Sequence, residues 1–263
     1  MSNPVFFTPA GTLDHQAPGS TFVLDGAEAR HAVTVKRLTA GEQVDIADGA
    51  GRRITGTVTA AGPQELTLEC AAVNDEPRPA VRLILVQALA KGDRDELAAE
   101  TATELGIDAV VPWQAERSIV RWKPERAAKA HAKWQSVVTA AAKQARRAWI
   151  PEVRAAVDGG SLQAAVADTV ASAGLAVILH EDAVRPLRRV LADWQESVGS
   201  ADDAAAPREV LMIVGPEGGI SPREVTRLCD AGAVTALLGH HVLRSSTAGP
   251  AATVLASDVL GRW

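Results

Sequence analysis

The sequence predicts an α/β protein in which a mostly parallel sheet carries helices on both faces and is preceded by a small β-barrel. Three observations predict this fold. Residues 1–73 contain short strand patterns separated by turns, as in a small barrel. Residues 74–80 are polar, contain two prolines and are typical of a linker. Residues 81–263 alternate buried apolar runs with helical patterns, which indicates a parallel α/β sheet.

A hairpin is the clearest element of the first domain. Two strand patterns, Gln43–Ala47 and Arg53–Ala60, flank the turn sequence Asp-Gly-Ala-Gly. Asp25 and Glu28 form a capping-box pattern, which predicts the start of a helix that reaches Leu38. Further strands are predicted at residues 5–7, 21–24 and 65–73.

Strands and helices alternate in the second domain. Asp93 and Glu96 predict a capped helix that ends near Leu105, because Gly106 follows. Pro124 opens a helix that is predicted to run through about Arg147. Strands are predicted at residues 81–88, 108–111, 153–157, 175–179, 210–214 and 234–238. Residues 198–207 are poor in large apolar groups and are predicted to form a surface loop.

The stretch 209–224 organises this domain as a strand, a glycine-rich loop and a helix. Ser221, Pro222 and Glu224 follow the loop as a capping box with proline at the first helical position. Ligands of open α/β sheets bind at the carboxyl ends of strands, where this loop lies. The loop lacks the lysine of a nucleotide-triphosphate loop, and its central Glu217 disfavours a phosphate. Glu217 therefore indicates a cationic or hydrogen-bond-donating ligand, or it fixes nearby backbone amides.

A second unit of the same kind begins with the strand at 234–238, which Gly239 closes. An alanine-rich helix follows and reaches about Leu260. Because proline is tolerated only in the first turn, Pro250 predicts a helix cap near Ser246 or Thr247. We expect the two loops to follow neighbouring parallel strands and to face one pocket.

Composition and charge narrow the functional classes. With 47% hydrophobic residues the chain has enough apolar side chains for a core, and two cysteines are too few for a disulfide scaffold. The sequence shows no membrane-spanning run and no signal peptide, which predicts a cytoplasmic protein. No metal site is predicted, although His180-Glu181-Asp182 and His240-His241 contain ligand-type residues. Seven basic residues and one acidic residue lie within 123–147 of this acidic chain (net charge −5), which favours a phosphate-contacting surface.

Several stretches together resemble one family. Gly215–Gly219, Leu238-Gly239 and Leu243–Ala248 resemble the C-terminal signature of the SPOUT-superfamily methyltransferases, and within it the 16S ribosomal RNA (uracil-N3)-methyltransferase family. Further resemblances lie at residues 31, 36–38, 104–106, 116–117, 143–147 and 151–153, so the resemblance spans most of the chain. Ser246 stands where the family often has glutamate, and a role of that carboxylate is not carried over to this chain.

The resemblance implies S-adenosylmethionine as the cofactor and 16S ribosomal RNA or the small ribosomal subunit as the partner. It also implies a trefoil-knotted catalytic sheet, a PUA-like RNA-binding first domain and a homodimer. The cofactor-binding candidates are Leu179, His180, Glu181, Gly215, Pro216, Glu217, Gly218, Gly219, Ile220, Leu238, Gly239, Val242, Leu243, Ser246 and Thr247. The RNA-binding candidates are Arg30, His31, Lys36, Arg37, Arg117, Lys143 and Arg147.

Methylation at N3 of uracil requires the loss of a weakly acidic ring proton. A cation beside a uracil oxygen would stabilise the resulting anion, and the catalytic candidates are Arg244, Arg146 and Lys91. Either bulk water or a carboxylate such as Glu181 can accept the proton.

Two other functions are compatible with parts of the sequence. A Rossmann-like oxidoreductase requires a glycine fingerprint after the first strand of the α/β domain, and residues 89–93 do not supply one. A non-catalytic RNA-binding or ribosome-assembly protein would use the basic segment and the first domain equally well. It would leave the strand-end loops without a purpose, and failure to bind S-adenosylmethionine would favour it.

Overall fold

The structure, a computed structural model, describes residues 3–199 and 207–263. Of the loop predicted at 198–207, residues 200–206 lie outside the described residues. The chain forms two compact units. The first contains residues 3–78 and 142–150, and the second contains residues 79–141, 151–199 and 207–263. The sequence did not indicate that residues 142–150 return to the first unit.

The first unit is built on a five-stranded mixed sheet. Its strands are β1 (Val5–Phe7), β2 (Thr21–Asp25), β3 (Gln43–Ala47), β4 (Arg52–Gly62) and β5 (Glu65–Asp75), in the order β1-β3-β4-β5-β2. β1 pairs in parallel with β3, and the other pairs are antiparallel. In β2, Phe22 and Leu24 are buried while their neighbours are exposed, so alternate residues cover the core. The predicted β-rich domain and its central hairpin are confirmed.

The helix expected at 25–38 has a different form. α1 (Gly26–Arg30) continues into a π-helical turn, His31–Val35. The predicted capping box is wrong, because among the described residues the Asp25 side chain makes no cap hydrogen bond. The Glu28 carboxylate instead accepts hydrogen bonds from the Phe7 N–H at 3.1 Å and the Lys143 ammonium at 2.6 Å.

Residues 142–150 are held to the first unit near both of their ends. At one end, Lys143 binds Glu28 and lies over the Phe6 ring, 4.7 Å from its centroid. At the other end, the Trp149 indole N–H donates to the Glu76 carbonyl at 2.8 Å. Gly51 makes room for the indole, because a Cβ there would lie 2.4 Å from Trp149 Cζ2. These contacts make the returning segment part of the first unit's fold.

The second unit has a six-stranded, all-parallel sheet. Its strands are β6 (Val81–Ala88), β7 (Ala109–Trp113), β8 (Glu152–Val153), β9 (Leu175–Leu179), β10 (Arg208–Val214) and β11 (Val234–Ala236), in the order β11-β9-β10-β6-β7-β8. The helices are α2 (Arg94–Glu104), α3 (Pro124–Gln144), α4 (Gly159–Ala171), α5 (Leu187–Val198), α6 (Pro222–Asp230) and α7 (Ser245–Val259). The predicted parallel α/β sheet is confirmed.

Helices cover both faces of this sheet. Ile84 and Val86 of β6 join a buried cluster with Leu162 of α4 and Leu228 of α6. The alternate residue Leu85 points to the opposite face, where it contacts Gly249 of α7. α2 and α5 pack against α7 on that face. Within the described residues, the structure has no helix that is both long and apolar enough to span a membrane.

Several element boundaries differ from the prediction, and β11, for example, ends at Ala236 rather than at residue 238. Asp93 is left-handed (φ 57°) and, in the described part of the chain, its side chain caps no amide; it lies 3.5 Å from Lys133 instead. α3 ends at Gln144 rather than Arg147, because Arg146 adopts a left-handed conformation. β8 is only two residues long, and Val157 forms an isolated bridge with Trp113.

The start of α7 was also predicted incorrectly. Arg244 is the N-cap, so Pro250 lies in the second turn and not in the first. Proline there removes one intrahelical hydrogen bond. The helix nevertheless begins at Ser245, and its Gly249 lies so close to the sheet that a Cβ there would be 2.7 Å from Leu85 Cδ1.

Candidate active site

The carboxyl ends of β9, β10 and β11 open onto a cavity of about 950 Å³. The loops that follow these three strands supply most of its lining. β9 lies between β10 and β11 in the sheet, so the two glycine-containing loops follow strands that are not direct neighbours, contrary to the prediction. Both loops still reach the same cavity, because the carboxyl ends of parallel strands meet at one edge.

Most of the predicted cofactor-binding residues line this cavity. Those that do are Leu179, His180, Glu181, Gly215, Pro216, Glu217, Gly218, Gly219, Ile220, Leu238, Gly239, Val242 and Leu243. Ser246 and Thr247 are in the first turn of α7 and are not among the lining residues. Arg244 and Arg117 do line the cavity. Lys91 is not part of the lining, and Arg146 belongs to the first unit.

The loop 215–220 folds tightly on itself. Gly219 has a positive φ of 71° and donates its N–H to the Pro216 carbonyl at 2.9 Å. A Cβ at Gly215 would lie 2.6 Å from Ile220 Cγ1, so any other residue there would require Ile220 to move. The Arg117 guanidinium donates to the Gly218 carbonyl at 3.0 Å and thereby borders the loop.

Glu217 connects this loop to the segment that follows β6. One of its carboxylate oxygens accepts the backbone N–H of Lys91 and a guanidinium N–H of Arg94, both at 3.0 Å. Burial is the largest influence and raises the pKa of Glu217, but hydrogen bonds from its own backbone N–H, from Lys91 and from Arg94 lower the pKa overall. These are the contacts expected of a carboxylate that fixes the loop.

The N-terminus of α6 adjoins the loop and is capped as predicted. The Ser221 hydroxyl accepts the Glu224 N–H at 3.1 Å, and the Glu224 carboxylate accepts the Ser221 N–H at 3.2 Å. Glu116 binds the same turn, since its carboxylate accepts the Ser221 hydroxyl at 2.7 Å and the Arg223 guanidinium at 2.9 Å. These two hydrogen bonds lower the pKa of Glu116. The loop after β7 is thereby joined to the cavity wall.

His180 contacts the backbone of its own loop. The His180 Nδ1 accepts the Asp182 backbone N–H at 3.2 Å, so the proton of the neutral ring is on Nε2. No group of three or more His, Cys, Asp or Glu side chains suited to a metal ion occurs in residues 3–199 and 207–263.

The sequence interpretation missed Arg94 as a lining residue. It is the first residue of α2 and directly follows the loop after β6, which is another loop at the carboxyl edge of the sheet. The sequence could have indicated Arg94 by this position, because every loop at this edge is a candidate for ligand contact. Its ionic partner Glu217 could not be found from local pattern, since the two residues are 123 positions apart. Further lining residues that were not predicted are Asp182, Val214, Pro222, Val225, Thr226, Leu237, His241, Ser245 and Ala248.

The RNA-binding candidates have different environments. Arg30, Lys36 and Arg37 are exposed in the first unit. His31 and Lys143 are partly buried; the Lys143 ammonium lies 3.2 Å from His31 Nδ1 and also binds Glu28. Arg147 is likewise only partly exposed.

A more open basic surface lies at the start of α3. Lys123, Arg126 and Lys129 are exposed and, within the described ranges, make no ion pair. Lys133, further along the helix, pairs with Glu96 at 2.7 Å. Cations near a helix N-terminus oppose the helix dipole, so stability does not explain their presence there. We call Lys123, Arg126 and Lys129 the α3 basic strip.

Comparison with known proteins agrees with both units. Residues 76–257 match the RNA methyltransferase domain family, and residues 24–69 match the RNA methyltransferase PUA domain family. The ribosomal RNA small subunit methyltransferase E of Mycobacterium tuberculosis (strain CDC 1551 / Oshkosh) is 38% identical over 245 residues, which cover 93% of this chain and 89% of that protein. The protein of the same name from Bacillus subtilis (strain 168) is 28% identical over 231 residues, which cover 87% of this chain and 86% of that protein.

A solved structure extends the similarity to the fold. The ribosomal RNA small subunit methyltransferase E from Neisseria gonorrhoeae bound to S-adenosyl methionine superposes with a TM-score of 0.78 and 27% identity, and the match covers 98% of each chain. The fold and the matched domains thus define an RNA methyltransferase with a PUA domain. The identity and coverage go further: the chain belongs to the ribosomal RNA small subunit methyltransferase E family. The family resemblance drawn from the signature residues is confirmed.

Proposed function

We propose that this chain binds S-adenosylmethionine in the cavity at the carboxyl edge of its parallel sheet and transfers the methyl group to N3 of a uridine in 16S ribosomal RNA. The observation that carries the proposal is the convergence of three strand-end loops, including 215–220, on one cavity. The Neisseria gonorrhoeae relative, which is described as bound to S-adenosyl methionine, supports the choice of cofactor.

The lining residues fit this cofactor. The cavity of about 950 Å³ is within the range of small-molecule sites. Leu179, Ile220 and Leu243 offer apolar walls for an adenine ring, and the tight glycine loop exposes backbone groups at close approach. Glu181 and Asp182 add exposed carboxylates, which suit the positive charges of S-adenosylmethionine.

The bound cofactor would supply an electrophilic methyl group, and the protein's task is to orient the uracil and stabilise its anion. Arg244 is the preferred cation, because it lines the cavity and, among the described residues, forms no ion pair. Its guanidinium would donate to a uracil oxygen as the N3 proton leaves. Glu181, also in the lining, or water would accept that proton. Holding the reactants in line supplies about 7–11 kcal/mol in favourable cases.

The α3 basic strip would contact ribosomal RNA phosphates that flank the target nucleotide. Its charges have no ionic partner within the described residues, so phosphates would not have to displace any ion pair. Arg30, Lys36 and Arg37 would add contacts from the PUA domain. Because the substrate is ribosomal RNA, the reaction takes place in the cytoplasm.

A second copy of the chain would complete the site. Two loops that border the cavity expose large apolar side chains to solvent, namely Val184 (90% exposed) and Val242 (78% exposed). We interpret this exposure, on two loops that border one cavity, as part of a surface that a second chain covers. Sedimentation of Val242→Asp tests this, with Val23→Asp on the exposed side of β2 as the control. A dimer that only Val242→Asp dissociates supports the proposal, and a wild-type monomer contradicts it.

The reaction is tested with labelled S-adenosylmethionine and small ribosomal subunits that lack the modification, followed by nucleoside mapping. Label recovered as 3-methyluridine at one site is the expected result. Label in another nucleoside would contradict the assignment of N3. Absence of both labelling and cofactor binding would reject the transferase proposal and favour a non-catalytic RNA-binding protein.

A further inference from the structure

Gln87 is a polar residue in the centre of the sheet that the proposed chemistry does not use. It is fully buried on β6, where its register partners are Val214 of β10 and Pro112 of β7. It does not line the cavity. Strands buried on both faces of parallel sheets are ordinarily made of apolar residues, so this side chain calls for an explanation.

The Gln87 amide starts a short chain of hydrogen bonds that ends at the cavity. Its Nε2 donates to the Ser245 hydroxyl at 2.8 Å and to the adjacent Ala88 carbonyl at 3.2 Å. That hydroxyl donates to the Gly215 carbonyl at 3.0 Å. Ser245 and Gly215 both line the cavity, so a buried strand residue is connected to two of its walls.

The same contact sets the position of α7 on the sheet. Leu85 and Gln87 are two residues apart on one face of β6, and their partners Gly249 and Ser245 are four residues apart on one face of α7. The Leu85–Gly249 contact is steric, whereas the Gln87–Ser245 contact is a directional hydrogen bond. Together they fix where the first turn of α7 begins, and therefore where its N-cap Arg244 stands.

Gln87 retains this contact at a cost. Its Oε1 is buried and has no hydrogen-bond partner among the described residues. A buried acceptor without a partner destabilises a fold, whereas an apolar side chain of similar size avoids the loss. A residue present only to fill the core would therefore be better replaced by methionine or leucine.

We propose that Gln87 is a positioning residue for the methyl-transfer site. Through Ser245 it holds the loop beginning at Gly215 and the start of α7 in the arrangement that binds the cofactor. The measurement of cofactor affinity rests on the proposed function. The measurement of amide hydrogen exchange is independent of it.

The test compares Gln87→Met with a matched core variant. Methionine keeps the length of the side chain and removes both polar atoms. Thr253→Val is the control. Thr253 is fully buried on α7, and among the described residues its hydroxyl bonds only within the helix, to the Gly249 carbonyl at 2.9 Å. Ser245→Ala removes the middle of the chain of hydrogen bonds, and Gln87→Met combined with Ser245→Ala completes a double-mutant cycle.

Four readouts are measured: the melting temperature, the Kd of S-adenosylmethionine by calorimetry, the KM values for cofactor and ribosomal subunits, and amide hydrogen exchange without cofactor. Gln87→Met is expected to melt at or above the wild-type temperature and to bind S-adenosylmethionine about tenfold more weakly, with an unchanged KM for subunits. Two amides are expected to exchange several-fold faster: that of Gly219, which donates to Pro216 within the glycine-rich loop, and that of Thr247, which donates to Arg244 in the first turn of α7. Thr253→Val is expected to leave the Kd of S-adenosylmethionine and the exchange of these two amides unchanged. The double variant is expected to bind S-adenosylmethionine no more weakly than whichever single variant binds it more weakly.

Two results would overturn the proposal. One is unchanged exchange at Gly219 and Thr247 in Gln87→Met. The other is a lower melting temperature of Gln87→Met with a proportional loss of activity, because this is the result expected for a purely structural residue. If the wild type binds no S-adenosylmethionine, the proposed function fails, and the exchange of the two amides still decides the role of Gln87.

Discussion

The carboxylate of Glu217 lies 3.0 Å from the guanidinium of Arg94, and the same oxygen accepts the Lys91 N–H. This pair joins two loops at the carboxyl edge of the sheet. The anion in the glycine-rich loop is thus neutralised by the protein itself. The sequence allowed two roles for Glu217, contact with a ligand or fixing of the loop. In the structure its contacts are those of a residue that fixes the loop.

Replacing Glu217 with Gln is therefore expected to weaken cofactor binding without abolishing it. Glutamine is similar in shape, but it loses the charge that holds Arg94 and lowers the strength of the hydrogen bond from Lys91. We expect a five- to tenfold rise in the Kd of S-adenosylmethionine, which corresponds to about 1–1.4 kcal/mol. Calorimetry on Glu217→Gln and Arg94→Met measures it. A Kd within twofold of wild type in both variants would argue against the loop-fixing role.

The same pair predicts a limit at low pH. The folded-state pKa of Glu217 is below its ordinary value of 4.5, so the stability contributed by its ionised form is present above pH 4.5. It is lost as the pH falls through the folded-state pKa. Cofactor affinity should therefore fall below about pH 4.5 in the wild type and fall less in Glu217→Gln.

Arg244→Ala is expected to affect turnover more than cofactor binding. If Arg244 stabilises the uracil anion, its loss should lower kcat by about 100- to 1,000-fold, as loss of an oxyanion donor does. The Kd of S-adenosylmethionine should change little. Single-turnover methyl transfer separates the two effects. Arg188→Ala is the control, because Arg188 is exposed on α5 and paired with Asp258. Equal losses in the two variants would contradict a catalytic role.

The α3 basic strip is expected to govern RNA binding. Changing Lys123, Arg126 and Lys129 to alanine should reduce the slope of log affinity against log salt concentration by about 2, at roughly 0.7–0.9 per lost phosphate contact. The KM for subunits should rise, while the Kd of S-adenosylmethionine stays constant. Arg185→Ala with Arg188→Ala serves as a control for the loss of surface charge elsewhere, since both arginines are in ion pairs. An unchanged salt slope in the triple variant would mean that the strip does not contact RNA.

Lys143→Met is expected to raise the pKa of His31. Burial is the main cause of the low pKa of this histidine, and the cations of Lys143 and Lys36 lower it further, while Glu28 raises it. Because the folded-state pKa is below 6.5, the unfolded chain binds more protons, and stability falls as the pH drops below 6.5. Without Lys143 this fall should be smaller. An NMR titration of the His31 ring, with Lys36→Met as the comparison, measures the change. A constant pKa in Lys143→Met would refute the coupling.

Local pattern was sufficient where a residue's partners are close in sequence. The capping box of Ser221 and Glu224 is an example, and so is the hairpin of β3 and β4. The pattern failed where a distant partner takes over the side chain. Glu28 binds Lys143, 115 positions away, and the first two turns of α7, which begin before Ser246, contact Gln87 and Leu85 of β6. The strand-end pattern indicated the two glycine-containing loops, and the family resemblance supplied the list of cofactor-binding candidates that line the cavity. Arg94 was in neither, although it lies beside another strand-end loop.

The return of residues 142–150 to the first unit has a consequence for how the protein can be taken apart. A fragment that stops at Arg78 would lack Trp149, the aromatic group that packs against Gly51, and Lys143, the partner of Glu28. The N-terminal unit is therefore not an independent cassette, despite its own sheet and core. Recombination that grafts it onto another enzyme would have to transfer a piece of α3 and the segment after it as well. We therefore expect the two units to be inherited together.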